Sequence, residues 1–210
     1  MSALGRLTAL RLLAPELTHD VVAVSALGYA SWCLCTVIDR PTNFYLRGAM
    51  GSATPVAFGI ARARPGQRVV AFEGDGSVLM NLGVLTTIGA YAPANLTVII
   101  WDDQRYQTTG GQPTHTARGV DLAAIARGAG IRSVVTVATN DAFMAACRNA
   151  LAVPGPHVIV ASIVPDATLP ERRSVAPQLN LHSVMESLGT CACHPRADAA
   201  PRAMAARAGA

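Results

Sequence analysis

Five short apolar segments rich in β-branched residues punctuate the chain: DVVAV at 20–24, RVVAF at 68–72, LTVIIW at 96–101, SVVTV at 133–137 and HVIVASI at 157–163. Each is compact and bounded by turn residues, the mark of a strand buried on both faces. Between them lie longer stretches with helical spacing, at 30–37, 52–63, 77–91, 121–129 and 140–151. Strand and helix alternating in this way predict an α/β fold: an open, mostly parallel sheet with helices on both faces. Ligands in such sheets bind outside the carboxyl ends of the strands, so the loops after the strands are where chemistry is expected.

The two ends of the chain depart from that rhythm. MSALGRLTALRLLAPEL reads as an amphipathic helix, because Arg6 and Arg11 interrupt what would be the apolar core of a secretory signal. The lack of acidic residues before Glu16 also fits an organelle presequence, and that alternative stays open. From 187 the composition turns to Ala, Arg and Pro with no sustained period. The expected division is a domain over 1–186 and a mobile tail over 187–210, with a weak Ala-rich helix as the other reading of the tail.

Composition narrows the class. With 51% hydrophobic and 14% charged residues, the 210-residue chain is built to pack, and its length suits one domain better than two. A net charge of +4 would suit an anionic polymer if the basic residues clustered, but the arginines are scattered among few aromatics, so no nucleic-acid partner is expected. No apolar run approaches the roughly 20 residues of a membrane span, so no membrane partner is expected either. Five cysteines, an odd number without a regular framework, fit reduced thiols and a cytoplasmic location. The CLC and CACH spacings are tighter than the paired spacing zinc sites favour.

The segment RVVAFEGDGSVLMNLGVLTTIGAYAP carries the clearest chemistry: a strand runs through Gly74-Asp75-Gly76 straight into a helix near Ser77. Glycines let the backbone approach a ligand closely, and the free N–H groups of a helix's first turn attract an anion such as phosphate. Asp75 between them could hold a divalent cation against that phosphate. An ordinary turn capped by Asp gives the same letters. The next strand ends in Asp102-Asp103-Gln104-Arg105, and a parallel neighbour would set this acidic turn beside Asp75 at one sheet edge. Crowded carboxylates repel unless a cation relieves them, whereas solvated turn residues need no such relief, so both readings stand on these residues alone.

GDGS, a helix, and a strand ending in an acidic turn resemble the thiamine diphosphate motif, and Asp103 follows Asp75 by the family's spacing, 103 minus 75 = 28 positions. YLRGAMGSATPVAFGIARARP, GDGSVLMNLGVLTTIGAYAPANL and TTGGQPTHT resemble the sulfopyruvate and phosphonopyruvate decarboxylases, over roughly residues 20 to 165. This resemblance implies thiamine diphosphate and Mg2+ as cofactors and a small 2-oxo acid as substrate. It makes Asp75, Asp103 and the carbonyl of Arg105 metal ligands, with Gly74, Gly76 and Ser77 at the diphosphate. Gly48, Ala49 and Met50 would hold the aminopyrimidine, the Met50 side chain wedging the cofactor into its bent form, although a methionine there also reads as core. Gly28 and Ser31 match a loop touching the diphosphate, with Ala30 where Thr is common.

Asp103 itself stands where the family usually carries Asn, which adds a negative charge beside the metal; Arg105 is the candidate to compensate it. His115, in the loop after the metal turn, is either an ordinary surface histidine or a group that handles protons or an anionic substrate. The activating Glu of the family comes from a pyrimidine-binding domain that these residues do not supply, so the resemblance implies a separate pyrimidine-domain, α-type subunit. A carboligase resembling acetolactate synthase and a non-catalytic binding module remain the alternatives.

Overall fold

The computed structural model describes residues 3–165, 170 and 176–189. Its helices are α1 (Arg6–Leu13), α2 (Tyr29–Val37), α3 (Ala53–Ala63), α4 (Asp75–Val78), α5 (Gly83–Tyr91), α6 (Leu122–Gly128), α7 (Asn140–Ala152) and α8 (Pro177–Ser187). The strands are β1 (Val21–Ser25), β2 (Asn43–Tyr45), β3 (Arg68–Gly74), β4 (Leu96–Asp102), β5 (Arg105–Tyr106), β6 (Gln112–Pro113), β7 (Ser133–Val137) and β8 (His157–Ser162). Six strands form one wholly parallel sheet in the order β2-β1-β3-β4-β8-β7, and β5 with β6 make a small antiparallel hairpin. All five expected strands are present, within two residues of the expected ends, but SVVTV forms the edge strand β7, which is partly open, Val135 being exposed, rather than buried on both faces.

The runs VVAVS, VVAFE and LTVIIW are buried along their lengths because helices cover both faces of the sheet. On one face α1 packs with α2 and α7, and Leu13, Leu17, Cys147 and Leu151 meet Val70, Thr97 and Ile99. Toward the carboxyl edge of that face the Phe72 and Trp101 rings lie 6.1 Å apart and nearly parallel, with Phe143 of α7 5.4 Å from Trp101. The other layer holds α3, α5 and α6. Strand order reverses at β1, which is followed by β2 on one side and β3 on the other. The crevice at the carboxyl ends of β1 and β3 is therefore the natural binding position of such a sheet.

Two elements depart from the sequence pattern. The helix expected over 77–91 is divided: α4 gives way to a 3₁₀ turn at Leu79–Asn81 before α5 begins at Gly83. There the loop at Gly51 docks on the helix, Asn81 Nδ2 donating 3.0 Å to the Gly51 carbonyl. Strand β2 is three residues long, too short for alternation to reveal. Its outer edge is completed by a side chain: Asn180 of α8 accepts from Tyr45 N–H at 2.9 Å and donates to the Asn43 carbonyl at 2.7 Å. The tail expected from 187 lies, beyond Gly189, outside the described residues.

Candidate active site

An open cleft lies at the carboxyl edge of the sheet, where β1, β3 and β4 end. Ala26, Leu27, Tyr29 and Ala30 line it after β1, Gly74 to Ser77 after β3, and Trp101 and Asp103 at the end of β4. Met50 reaches it from the loop before α3, Arg105 to Thr109 come from the β5–β6 hairpin, and Arg6 enters from α1.

Parallel pairing of β3 with β4 sets Gly74 opposite Trp101, so the turns carrying Asp75 and Asp103 emerge side by side. Asp75 and Asp103 are 2% and 7% exposed. Burial pushes the Asp75 carboxyl above its usual range, and Asp103 adds to the push, while hydroxyls and a backbone N–H pull the other way. Burial likewise raises Asp102 and Asp103, the latter opposed chiefly by the positive charge of Arg6. Thr114 Oγ1 lies 2.6 Å from Asp75, and Thr116 Oγ1 lies 3.1 Å from Asp75 and 2.8 Å from Asp102. The two hydroxyls are also 2.9 Å from each other. Two hydroxyl protons thus serve four contacts, and the carboxylates are short of donors. Such a donor set fits a hard divalent cation, which typically takes one or two carboxylates, carbonyls and phosphate oxygens. Among the described residues no three His, Cys, Asp or Glu side chains form a complete metal cluster, so ligand oxygens would have to supply the remainder. Gln104 and Tyr106 carbonyls accept from Thr114 and Gly111, which leaves the intervening Arg105 carbonyl unspent on β6.

The turn itself is braced from below. Glu73, fully buried, accepts from Thr54 through the backbone N–H at 2.9 Å and the hydroxyl at 3.0 Å. Ser77 donates its hydroxyl to Glu73 and accepts from Gly51 N–H at 2.8 Å. The Ser77 side chain is therefore committed to the core, and an anion would be met by backbone N–H groups at Gly76 and Ser77. Over the turn lies Tyr106: a β carbon on Gly76 would stand 2.3 Å from its ring. Gly28 has φ +72°, and a β carbon there would meet the Thr108 hydroxyl at 2.5 Å.

Not every residue singled out by sequence reaches the cleft. Ser31 donates 2.6 Å to the Ala26 carbonyl, pinning the start of α2 to the end of β1. Gly48, with φ +65°, and Ala49 shape the loop that presents Met50, while of the three only Met50 lines the cleft. His115 is exposed and lies between Thr114 and Thr116, the two buried residues of PTHT that turn toward Asp75. The side chain in contact with the Asp103 carboxylate is Arg6, at 3.4 Å; Arg105, the expected counter-charge, donates its Nε to the Asp103 carbonyl at 3.3 Å and adds a smaller favourable contribution to the carboxylate. Thr114, Thr116, Tyr106 and Glu73 had no signal in the sequence beyond their proximity to a motif. Arg6 had one, a charge on the apolar face of the first helix, beside Leu7 and Leu10.

Residues 29–161 match the family model described as thiamine pyrophosphate enzyme, C-terminal TPP binding domain. Phosphonopyruvate decarboxylase of Streptomyces viridochromogenes is 43% identical over 76% of this chain and 40% of its own length. The β subunit of sulfopyruvate decarboxylase of Methanocaldococcus jannaschii is 35% identical over 80% of this chain and 88% of its own. The chain thus spans less than half of the phosphonopyruvate enzyme. Among solved structures, a thiamine diphosphate-dependent 4-hydroxybenzoylformate decarboxylase of Rhodococcus jostii RHA1 superposes with a TM-score of 0.69 at 24% identity. It covers 80% of this chain and 34% of that one, and shows the shared fold.

Proposed function

The chain belongs to the thiamine pyrophosphate enzymes as a C-terminal TPP-binding domain, and from that premise we propose that it is the Mg2+- and thiamine diphosphate-binding subunit of a 2-oxo acid decarboxylase. The observation that carries the reading is the pairing of Asp75 and Asp103 at the ends of β3 and β4, beside the Gly74–Ser77 turn at the switch point of the sheet. Asp75, Asp103 and the Arg105 carbonyl would hold the metal, and the backbone at Gly76 and Ser77 the diphosphate. Met50, half-buried on the cleft wall, would support the thiazolium–pyrimidine end. Bound there, thiamine diphosphate would supply the electron sink for loss of carbon dioxide from a 2-oxo acid. The protein's part would be to fix that group by its anionic end and keep water from the buried carboxylates.

Sulfopyruvate is our first candidate substrate and phosphonopyruvate the second. The support is the coverage: relatives matched over most of their length are named as sulfopyruvate decarboxylase β subunits. The same coverage supports a separate pyrimidine-domain subunit as partner, in a hetero-oligomer. We propose a cytoplasmic location, in keeping with Cys147 as a buried thiol; no helix among the described residues is long and apolar enough to cross a membrane. The test is calorimetric titration with thiamine diphosphate, with and without Mg2+, followed by mixing with a pyrimidine-domain subunit and each 2-oxo acid while carbon dioxide is followed. Binding that needs Mg2+, and carbon dioxide release from sulfopyruvate by the mixture, is the expected result. Mg2+-independent binding would end the metal assignment.

A further inference from the structure

Arg6 is buried to 5% exposure although it carries a full charge. It is delivered to the cleft by the backbone ahead of it: Ala3 bridges to Thr139, Gly5 bridges to Val164, and the Leu4 carbonyl accepts from Val164 N–H at 2.9 Å. These contacts lay residues 3–5 across the carboxyl ends of β7 and β8, so α1 begins at the metal end of the cleft. The guanidinium uses Nη2 on Asp103 at 3.4 Å and Nη1 on Gln107 at 3.0 Å. Its Nε finds no acceptor, and neither does Nε1 of the fully buried Trp101, which lines the same cleft. Buried N–H groups without acceptors are costly, and two of them on residues that line one cleft point to an acceptor that arrives with a ligand.

On the reading that the anionic end of thiamine diphosphate occupies this cleft, we propose that Arg6 is a cofactor-positioning residue: the counter-charge to Asp103 and an N–H donor to the diphosphate. Asp75, Asp103 and a diphosphate together exceed the two positive charges of one Mg2+, and a fixed guanidinium offsets part of the excess where the low dielectric of the cleft makes it count. Because Arg6 is already held by Asp103, it needs no reorganisation when the cofactor enters.

The two members of the pair are distinguishable by experiment. Arg6→Met, Asp103→Asn and the double variant are melted without cofactor and titrated with thiamine diphosphate in Mg2+. Each single change strands a buried charge and lowers the cofactor-free melting temperature. Affinity separates them: Arg6→Met binds at least about tenfold more weakly, whereas Asp103→Asn binds as well or more tightly, its stranded guanidinium gaining the diphosphate as partner. The double variant recovers melting temperature and binds between the two. Arg6→Lys, which keeps the charge without the Nε donor, folds and binds more weakly than the unmodified protein. Single variants that shift affinity in the same direction, or an Arg6→Met protein with unchanged affinity, would overturn the proposal while leaving cofactor binding intact. An unmodified protein that binds no thiamine diphosphate removes the functional reading and this inference with it.

Discussion

Ser77 gives its hydroxyl proton to Glu73, four residues earlier and fully buried, so the one hydroxyl in the GDGS turn faces the core and not the cleft. The same oxygen accepts from Gly51 N–H, which ties the Gly74–Ser77 turn to the loop that presents Met50. Ser77→Ala is therefore expected to act on stability first, lowering it by about 1–3 kcal/mol as Glu73 loses a donor and Gly51 an acceptor. Urea unfolding of the cofactor-free protein, set beside a thiamine diphosphate titration, measures both effects. A loss of affinity with unchanged stability would show that the hydroxyl serves the cofactor directly.

Gly76→Ala should fail for a local reason, because the added carbon would stand 2.3 and 2.6 Å from two Tyr106 ring atoms. The ring must move, and the β5–β6 hairpin with it. Combining Gly76→Ala with Tyr106→Ala is expected to restore melting temperature but not cofactor affinity, since the extra carbon still sits where the ligand approaches the turn. Recovery of both would mean that Gly76 is needed only to make room for the tyrosine.

Much of this arrangement was legible in the sequence, and what was not has a physical pattern. Apolar runs such as RVVAF and LTVIIW are long enough, and buried enough, to declare strands; their parallel neighbourhood then brought Asp75 and Asp103 together on paper as it does in space. β2 escaped notice because three residues carry no period and its edge is completed from 135 residues away by Asn180. Arg6 escaped for a similar reason. Its helix was legible, but that residues 3–5 cross the ends of β7 and β8 depends on bridges to Thr139 and Val164 that no local pattern encodes. In PTHT the conspicuous residue was His115, while alternation along the backbone gives the inward positions to Thr114 and Thr116.

Those threonines should matter in measurable order. Asp75→Ala removes the more buried of the two cleft carboxylates and is expected to abolish Mg2+-dependent thiamine diphosphate binding. Thr116→Val takes away the hydroxyl shared by Asp75 and Asp102 and should weaken binding by roughly tenfold, as outer partners of a metal site typically do. Calorimetry over a range of Mg2+ concentrations distinguishes them. A Thr116→Val protein that binds like the original would show that the cation, once present, orients the carboxylates unaided.

Cys147 provides a pH prediction away from the site. Burial in α7 against the sheet, with the charge of Glu16 adding to it, pushes its thiol up to about 12. The folded chain keeps this proton at pH values where an unfolded chain, with an ordinary thiol near about 8.5, has lost it. The resulting stability is complete below about 8.5 and is lost as pH rises toward the folded value. Cys147→Val should thus lose less stability than the original between about pH 8.5 and 11 in urea unfolding. In the native protein Cys147 should also resist alkylation at pH 8, and peptide mapping that finds it modified without unfolding would contradict its burial.

Among the described residues only two carboxylates line the cleft, Asp75 and Asp103, both at the ends of β3 and β4, and no glutamate lines the wall. Glu73 lies close in sequence but is sealed beneath the turn, its oxygens taken by Thr54 and Ser77. The acid–base group that thiamine catalysis needs at the aminopyrimidine would therefore come from outside these residues, in our reading from a pyrimidine-domain subunit. Binding and catalysis should separate: these 210 residues, purified and checked by mass spectrometry for a co-purifying protein, should bind thiamine diphosphate yet release no carbon dioxide from any 2-oxo acid. Addition of the pyrimidine-domain subunit should restore turnover. If the isolated chain decarboxylates sulfopyruvate at roughly 1 per second or faster, the pace of ordinary enzymes, the split site is wrong, and the group that handles the proton must be sought within this sequence.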